Sequence, residues 1–163
     1  MVQTTELFPE SGSGFPETAQ QLALARRQLD DRDRHAGPGQ GRRQLRIERR
    51  PLVVGHAPPE VVGRILERLW DGPETRIVIS SDLSHYLPYE EGRHADARTA
   101  RRIATMGAQP IGPDEACGAS GINGLLWIGR KKQLRGQIID LRSSGDTAGD
   151  KARVVGYGAF AFY

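Results

Sequence analysis

Cysteine, lysine and aromatic residues are all scarce in this sequence, and each scarcity excludes something. A single cysteine, Cys117, among 163 residues rules out an internal disulfide and fits a reducing compartment. No stretch approaches the roughly 18 apolar residues that a membrane span needs. Residues 1–16 are acidic and polar, without the basic-then-apolar layout of a secretory signal. A soluble, cytoplasmic chain with no membrane partner is therefore expected. Only three lysines stand against twenty arginines, a ratio that a GC-rich coding sequence explains simply. Nine of those arginines fall in residues 21–50 beside four acids (Asp30, Asp31, Asp33, Glu48). That stretch carries +5 and the rest −2 of the net +3. It holds no aromatic residue to stack on a base, so a solvated arm is expected there and nucleic acid is not an expected partner.

What is present divides near Arg50. Residues 1–50 contain Ser11-Gly12-Ser13-Gly14 and the Gly/Pro/Arg-rich run 36–43, with one weak helical pattern over 17–29 and no strand-like run. They are read as a variable, disordered arm, with 51–163 as the folded domain. In that domain Leu52–Val54 is a short buried-strand candidate. Pro58–Trp70 reads as a helix opened by prolines, with Val62, Ile65, Leu66 and Leu69 at helical spacing. Arg76–Ser80 reads as a second strand. Tyr89–Met106 reads as a charged helix with Thr99, Ile103 and Met106 inward, and Asp114–Lys131 as a third helix with Leu125, Leu126 and Ile128 deeper in. Gln137–Leu141 and Val154–Phe162 close the series as strands. This alternation predicts an α/β layer fold. Apolar strands such as Arg76–Ser80 suit a sheet covered on both faces, with functional groups beyond strand ends.

The residues after Ile79 fit that rule. Ser80 to Tyr86 packs hydroxyl, carboxylate and imidazole groups into seven positions. His85 there can serve as general base or metal ligand, and Asp82, three residues earlier, can orient its ring. The plainer alternative has Asp82 capping a turn and His85 bonded to a carbonyl, and spacing alone leaves both open. Cys117 is placed in the first turn of the third helix, where free backbone N–H groups favour a thiolate and Glu115 opposes it. A small buried apolar residue is the more common fate of a free cysteine. The run Ser143–Asp150 could cradle an anion, but it lacks the lysine of a phosphate loop and is better read as a structured turn. His56 and His94 are expected in solvent, and His35 in the arm. His85 and Cys117, even with Asp82, are too few for a closed structural metal site.

Three segments read together resemble one family. The motif at 80–91 (SSDLSHYLPYEE), that at 116–126 (ACGASGINGLL) and the closing run 140–162 occur in this order and spacing in Memo-like proteins. The bacterial and archaeal members are called AmmeMemoRadiSam system protein B. The likeness extends over 51–163. It implies a partial three-layer α/β sandwich similar to class III extradiol dioxygenases, which use non-haem iron. It also implies that His85, Asp82 and Cys117 line one pocket, with Cys117 and His85 as metal ligands and iron or copper as cofactor. Family members are nearly twice as long and draw further pocket histidines from an N-terminal half. Residues 1–50 show no such motif, which points to a truncated or frame-shifted reading of a longer gene.

Three functional expectations follow from the resemblance. One is a metal-dependent oxidoreductase, or its remnant, acting on a small molecule. Another is a non-catalytic peptide- or ligand-binding protein working with radical-SAM and AMMECR-type partners. The third is an inactive fragment whose bare core face favours assembly.

Overall fold

The structure, a computed structural model, describes residues 5–7, 50–70, 72–147 and 149–163. The chain divides into two compact units, one of Met1–Ser11 with Val54–Tyr163 and one of Gly12–Val53. Nearly all of the second lies outside the described residues, as do the helical pattern over 17–29 and His35.

The first unit is mixed α/β. Its elements are β1 (Thr5–Leu7), α1 (Pro59–Leu69), β2 (Val78–Ile79), β3 (His85–Leu87), α2 (Tyr89–Ala104), α3 (Ala119–Lys131), β4 (Gly136–Ser143), a 3-10 turn (Ser144–Asp146) and β5 (Val154–Phe162). β5 organises the sheet. β4 runs antiparallel to it from Gly136↔Phe162 to Ser143↔Gly156, β1 lies parallel to its far end, and β3 pairs antiparallel with Val154 and Val155. Among the described residues β2 pairs only with β1. The result is a small, open and largely antiparallel sheet.

Helix periodicity explains what is buried. In α1, Val62, Gly63 and Leu66 face inward and leave Val61, Ile65 and Leu69 exposed. Val62 and Leu66 are inward as expected, while Ile65 and Leu69 are not, because α1 meets α3 at glycine. A Cβ on Gly63 would strike the Trp127 ring, and one on Gly124 would strike the Val62 side chain. In α2 the buried stripe is Gly92, Asp96, Thr99, Ala100 and Ile103, and this helix packs on β4 and β5. In α3, Ile122, Leu125, Leu126 and Ile128 join Phe160 and Phe162 of β5 in the core.

Both α2 and α3 end on a non-glycine residue in the left-handed region, Met106 (φ 54°) and Gln133 (φ 57°). The next N–H then returns to the last turn, Gly107 to Arg102 O at 2.8 Å and Leu134 to Gly129 O at 2.9 Å. This closure satisfies carbonyls that would otherwise be orphaned.

Four local expectations need correction. Leu52–Val54 forms no strand, and Val53 is 95% exposed. The second strand contracts to Val78–Ile79. β1 arises in the arm without an apolar pattern, since its partners on both sides supply its pairing. The third helix begins at Ala119 rather than Asp114, because the Glu115 carboxylate bonds Gly112 N–H at 2.8 Å and turns the chain first. The closing strand matches its expected bounds.

Candidate functional site

The site forms where the loop between β2 and β3 meets the turn ahead of α3. Asp82 comes from the loop, His85 from the first position of β3, and Cys117 from the turn. One ligating atom from each lies within 4.8 Å of the others. The convergence is enforced by the backbone. Cys117 N–H donates to Asp82 O at 3.2 Å, and Asp82 N–H donates back to Cys117 Sγ at 3.2 Å.

Ser81 completes the clamp. Its Oγ donates to Asp82 O at 2.7 Å and accepts from Gly118 N–H at 2.8 Å, with Cys117 Sγ 3.8 Å away. Gly118 is required by this approach: a Cβ there would lie 2.7 Å from Ser81 Cβ and 2.9 Å from Ser80 O. No van der Waals contact tolerates those separations.

Cys117 thus stands outside the helix, and it is exposed. That overturns both its placement among helical N–H groups and the reading of it as a buried packing residue. The sulfur's N–H donor is instead the Asp82 backbone. His85 and Asp82 are each about one-third exposed, with Nε2 and Oδ2 3.7 Å apart. This exceeds hydrogen-bond reach, so Asp82 faces the ring as a neighbouring charge without fixing it by a bond.

His85 gains its aim from the backbone. Tyr86 sits in the left-handed region (φ 60°), and the β3–β5 register shifts between His85 and Leu87. Such irregularities bend a strand and re-aim its side chains. Beneath, the Asp96 carboxylate accepts Ser84 N–H at 2.9 Å. Asp96 is only 3% exposed, and Gly156 must lack a side chain to leave it room. Burial pushes its carboxyl above the usual carboxylate range, against the pull of Ser84 N–H and of nearby His85.

The sequence marks Ser81 only as part of the 80–86 cluster and gives Gly118 and Asp96 no role. Asp96 had a usable signal, an acid lying on the buried stripe of α2. The other two act only across the contact between loops.

The remaining candidates separate cleanly from this site. His56 and His94 are exposed, as expected. The Ser143–Asp150 run is a structured turn: Asp146 accepts Ser143 N–H at 2.6 Å, Thr147 Oγ1 donates to Ser144 O at 3.1 Å, and Ala152 N–H donates to Asp150 at 2.9 Å. Tyr89 hydroxyl also donates to Asp146, at 2.5 Å. That bond holds the tyrosine hydroxyl above its usual range and the carboxyl below its own. No helix among the described residues is long and apolar enough to cross a membrane.

Comparison with known proteins agrees with the motifs. The family profile described as Memo-like protein matches residues 42–161. A MEMO1 family protein of Aeropyrum pernix is 33% identical over 123 residues, covering 67% of this chain and 43% of that protein. One from Aquifex aeolicus is 32% identical over 128 residues (71% and 46%), and one from Desulfurococcus amylolyticus is 29% identical over 124 (69% and 44%). The chain spans less than half the length of these curated relatives. No solved structure matches it. With the profile covering most of its length, and the Asp82–His85 and Cys117 segments inside the match, the chain belongs to the Memo-like protein family.

Proposed function

We propose that Asp82, His85 and Cys117 hold one transition-metal ion, iron or copper, in a site that acts on a small molecule. The observation that supports this reading is the convergence of three chemically different donors from two separate segments of the chain. Ligands of one tetrahedral ion lie about 3.4–3.8 Å apart at bond lengths of about 2.0–2.3 Å. The 3.7 Å between Asp82 and His85 suits that spacing, and the outer limit of 4.8 Å leaves a small side-chain adjustment. The donor set fits the metal chemically: imidazole and thiolate suit iron and copper, and a carboxylate adds charge.

A bound iron or copper ion supplies Lewis acidity and one-electron chemistry. The chain's own residues do the rest. Three ligands leave positions open for water or substrate, and the exposure of Cys117 leaves that face reachable. His85, when not ligating, can take a proton from a substrate hydroxyl. A fold similar to the class III extradiol dioxygenases belongs to this proposal, as does descent from a metal-dependent oxidoreductase. Radical-SAM and AMMECR-type partners are proposed from family membership, and neighbouring reading frames test them.

The direct test is metal content after loading purified protein with Fe(II) or Cu(II) and removing free ion. About one ion per chain is expected, falling to background in Cys117→Ser and His85→Ala. Equal content in wild type and both variants would overturn the reading.

A further inference from the structure

We infer that α2 is the alignment bar of the site: Asp96 and the Arg102–Glu115 pair are positioning residues that set His85 and Cys117 at their mutual distance. The inference rests on reading Asp82, His85 and Cys117 as one site. It assigns work to residues that touch no ligand.

The case begins with the spacing along α2. Asp96, Thr99 and Arg102 are three residues apart, so they share one side of the helix. Asp96 reaches the first loop, accepting Ser84 N–H directly before His85. Thr99 and Arg102 reach the second. Arg102 Nη1 donates to Glu115 Oε1, and Thr99 Oγ1 donates to the same oxygen at 3.3 Å. Arg102 Nη2 donates to Pro110 O at 2.6 Å, and Glu115 Oε2 accepts Gly112 N–H at 2.8 Å. The segment leading to Cys117 is thereby tied to the same helix as the segment leading to His85.

These contacts are directional, and the positions they use are enclosed. Asp96 is buried, and Gly156 makes room for its carboxylate. A buried acid costs free energy that leucine would not, so packing alone does not account for it. The two segments also meet directly through the Ser81–Cys117 clamp, so the clamp and α2 together set their register. Groups behind a metal's ligands commonly change affinity by about 10–100-fold when lost.

The test uses the full chain and two probes. Metal-free protein is followed by the imidazole NMR signals of His85 and by the rate of Cys117 alkylation with iodoacetamide. Cobalt(II) then reports through its thiolate charge-transfer absorption. Asp96→Ala is expected to shift the His85 signals and weaken cobalt binding by roughly tenfold or more, with Cys117 alkylation within about twofold of wild type. Glu115→Ala is expected to do the converse, changing alkylation several-fold while the His85 signals stay. Asp96→Asn keeps the acceptor for Ser84 N–H and restores both readouts.

If Asp96→Ala does not fold, Gly156→Ala displaces the same carboxylate and should shift the same signals. Folded Asp96→Ala or Gly156→Ala with unmoved His85 signals overturns the inference. Wild type that takes up no cobalt sinks the metal reading, and the NMR and alkylation results then decide the positioning role on their own.

Discussion

The contact between α1 and α3 and the contact between α2 and the site loops solve the same problem by opposite means. The first is apolar and close. Gly63 and Gly124 let the two helices approach until Val62 and Trp127 fill the space that side chains would take. The second is polar and selective, using one carboxylate for Ser84 and an arginine–glutamate pair for the 109–115 segment. Close packing resists volume change but tolerates small rotations, whereas a hydrogen bond fixes direction. The difference teaches where this chain needs strength and where it needs aim.

That contrast can be broken by experiment. Leu66, 5% exposed on the inward face of α1, lies in the apolar half, and Leu66→Ala should cost about 2–5 kcal/mol of unfolding free energy. Urea denaturation reads this loss, and Cys117 alkylation in the folded protein should stay at the wild-type rate. If that rate changes in step with stability, the two halves are one mechanical unit and the contrast fails.

A milder intrusion is Gly124→Ala, whose added methyl meets Val62. Overpacking of this kind typically costs about 1–3 kcal/mol, again without moving the His85 signals. A cost near zero would mean that α1 slides freely on α3.

The smallest effect separates two acids by the sign of their pH response. The Asp146 carboxyl is held low by Tyr89, so its contribution is present above the ordinary aspartate range and lost as pH falls through its folded value. The Asp96 carboxyl is held high by burial, so its contribution is fullest below the ordinary range and lost as pH rises through its folded value. Measured against Asp146→Asn and Asp96→Asn, wild-type stability should change with opposite slopes across mildly acidic pH. Parallel slopes would remove the electrostatic distinction between the exposed turn and the buried brace.

Legibility in the sequence followed the length and regularity of each element. The first two helices and β5 stand out because a sustained period or apolar run marks them, and Val154–Phe162 has the bounds expected of it. β1 and β3 are three residues each and owe their existence to partners on other strands, so no local pattern announces them. α3 starts later than its pattern predicts because the Glu115 carboxylate closes a turn at Gly112, held there by Arg102 and Thr99 from across the fold. Within the site, the cluster after Ile79 and the motif at Cys117 could both be marked. Their meeting could not, since it depends on Ser81 and Gly118 touching across the fold. Asp96 could have been found by asking why an acid falls on the inner stripe of α2.

The constraint at Gly118 bears on how this chain tolerates change over generations. Most surface turns drift freely, but here the smallest possible addition, one methyl group, would wedge the two loops apart at Ser81. The position caps α3, its carbonyl accepting Ile122 N–H at 3.0 Å, and adds no side chain to the core. A single-codon change there strikes the join between the two loops directly while leaving every core side chain in place. Selection would see that lesion through activity, which makes Gly118→Ala a direct genetic probe of whether the site is in use.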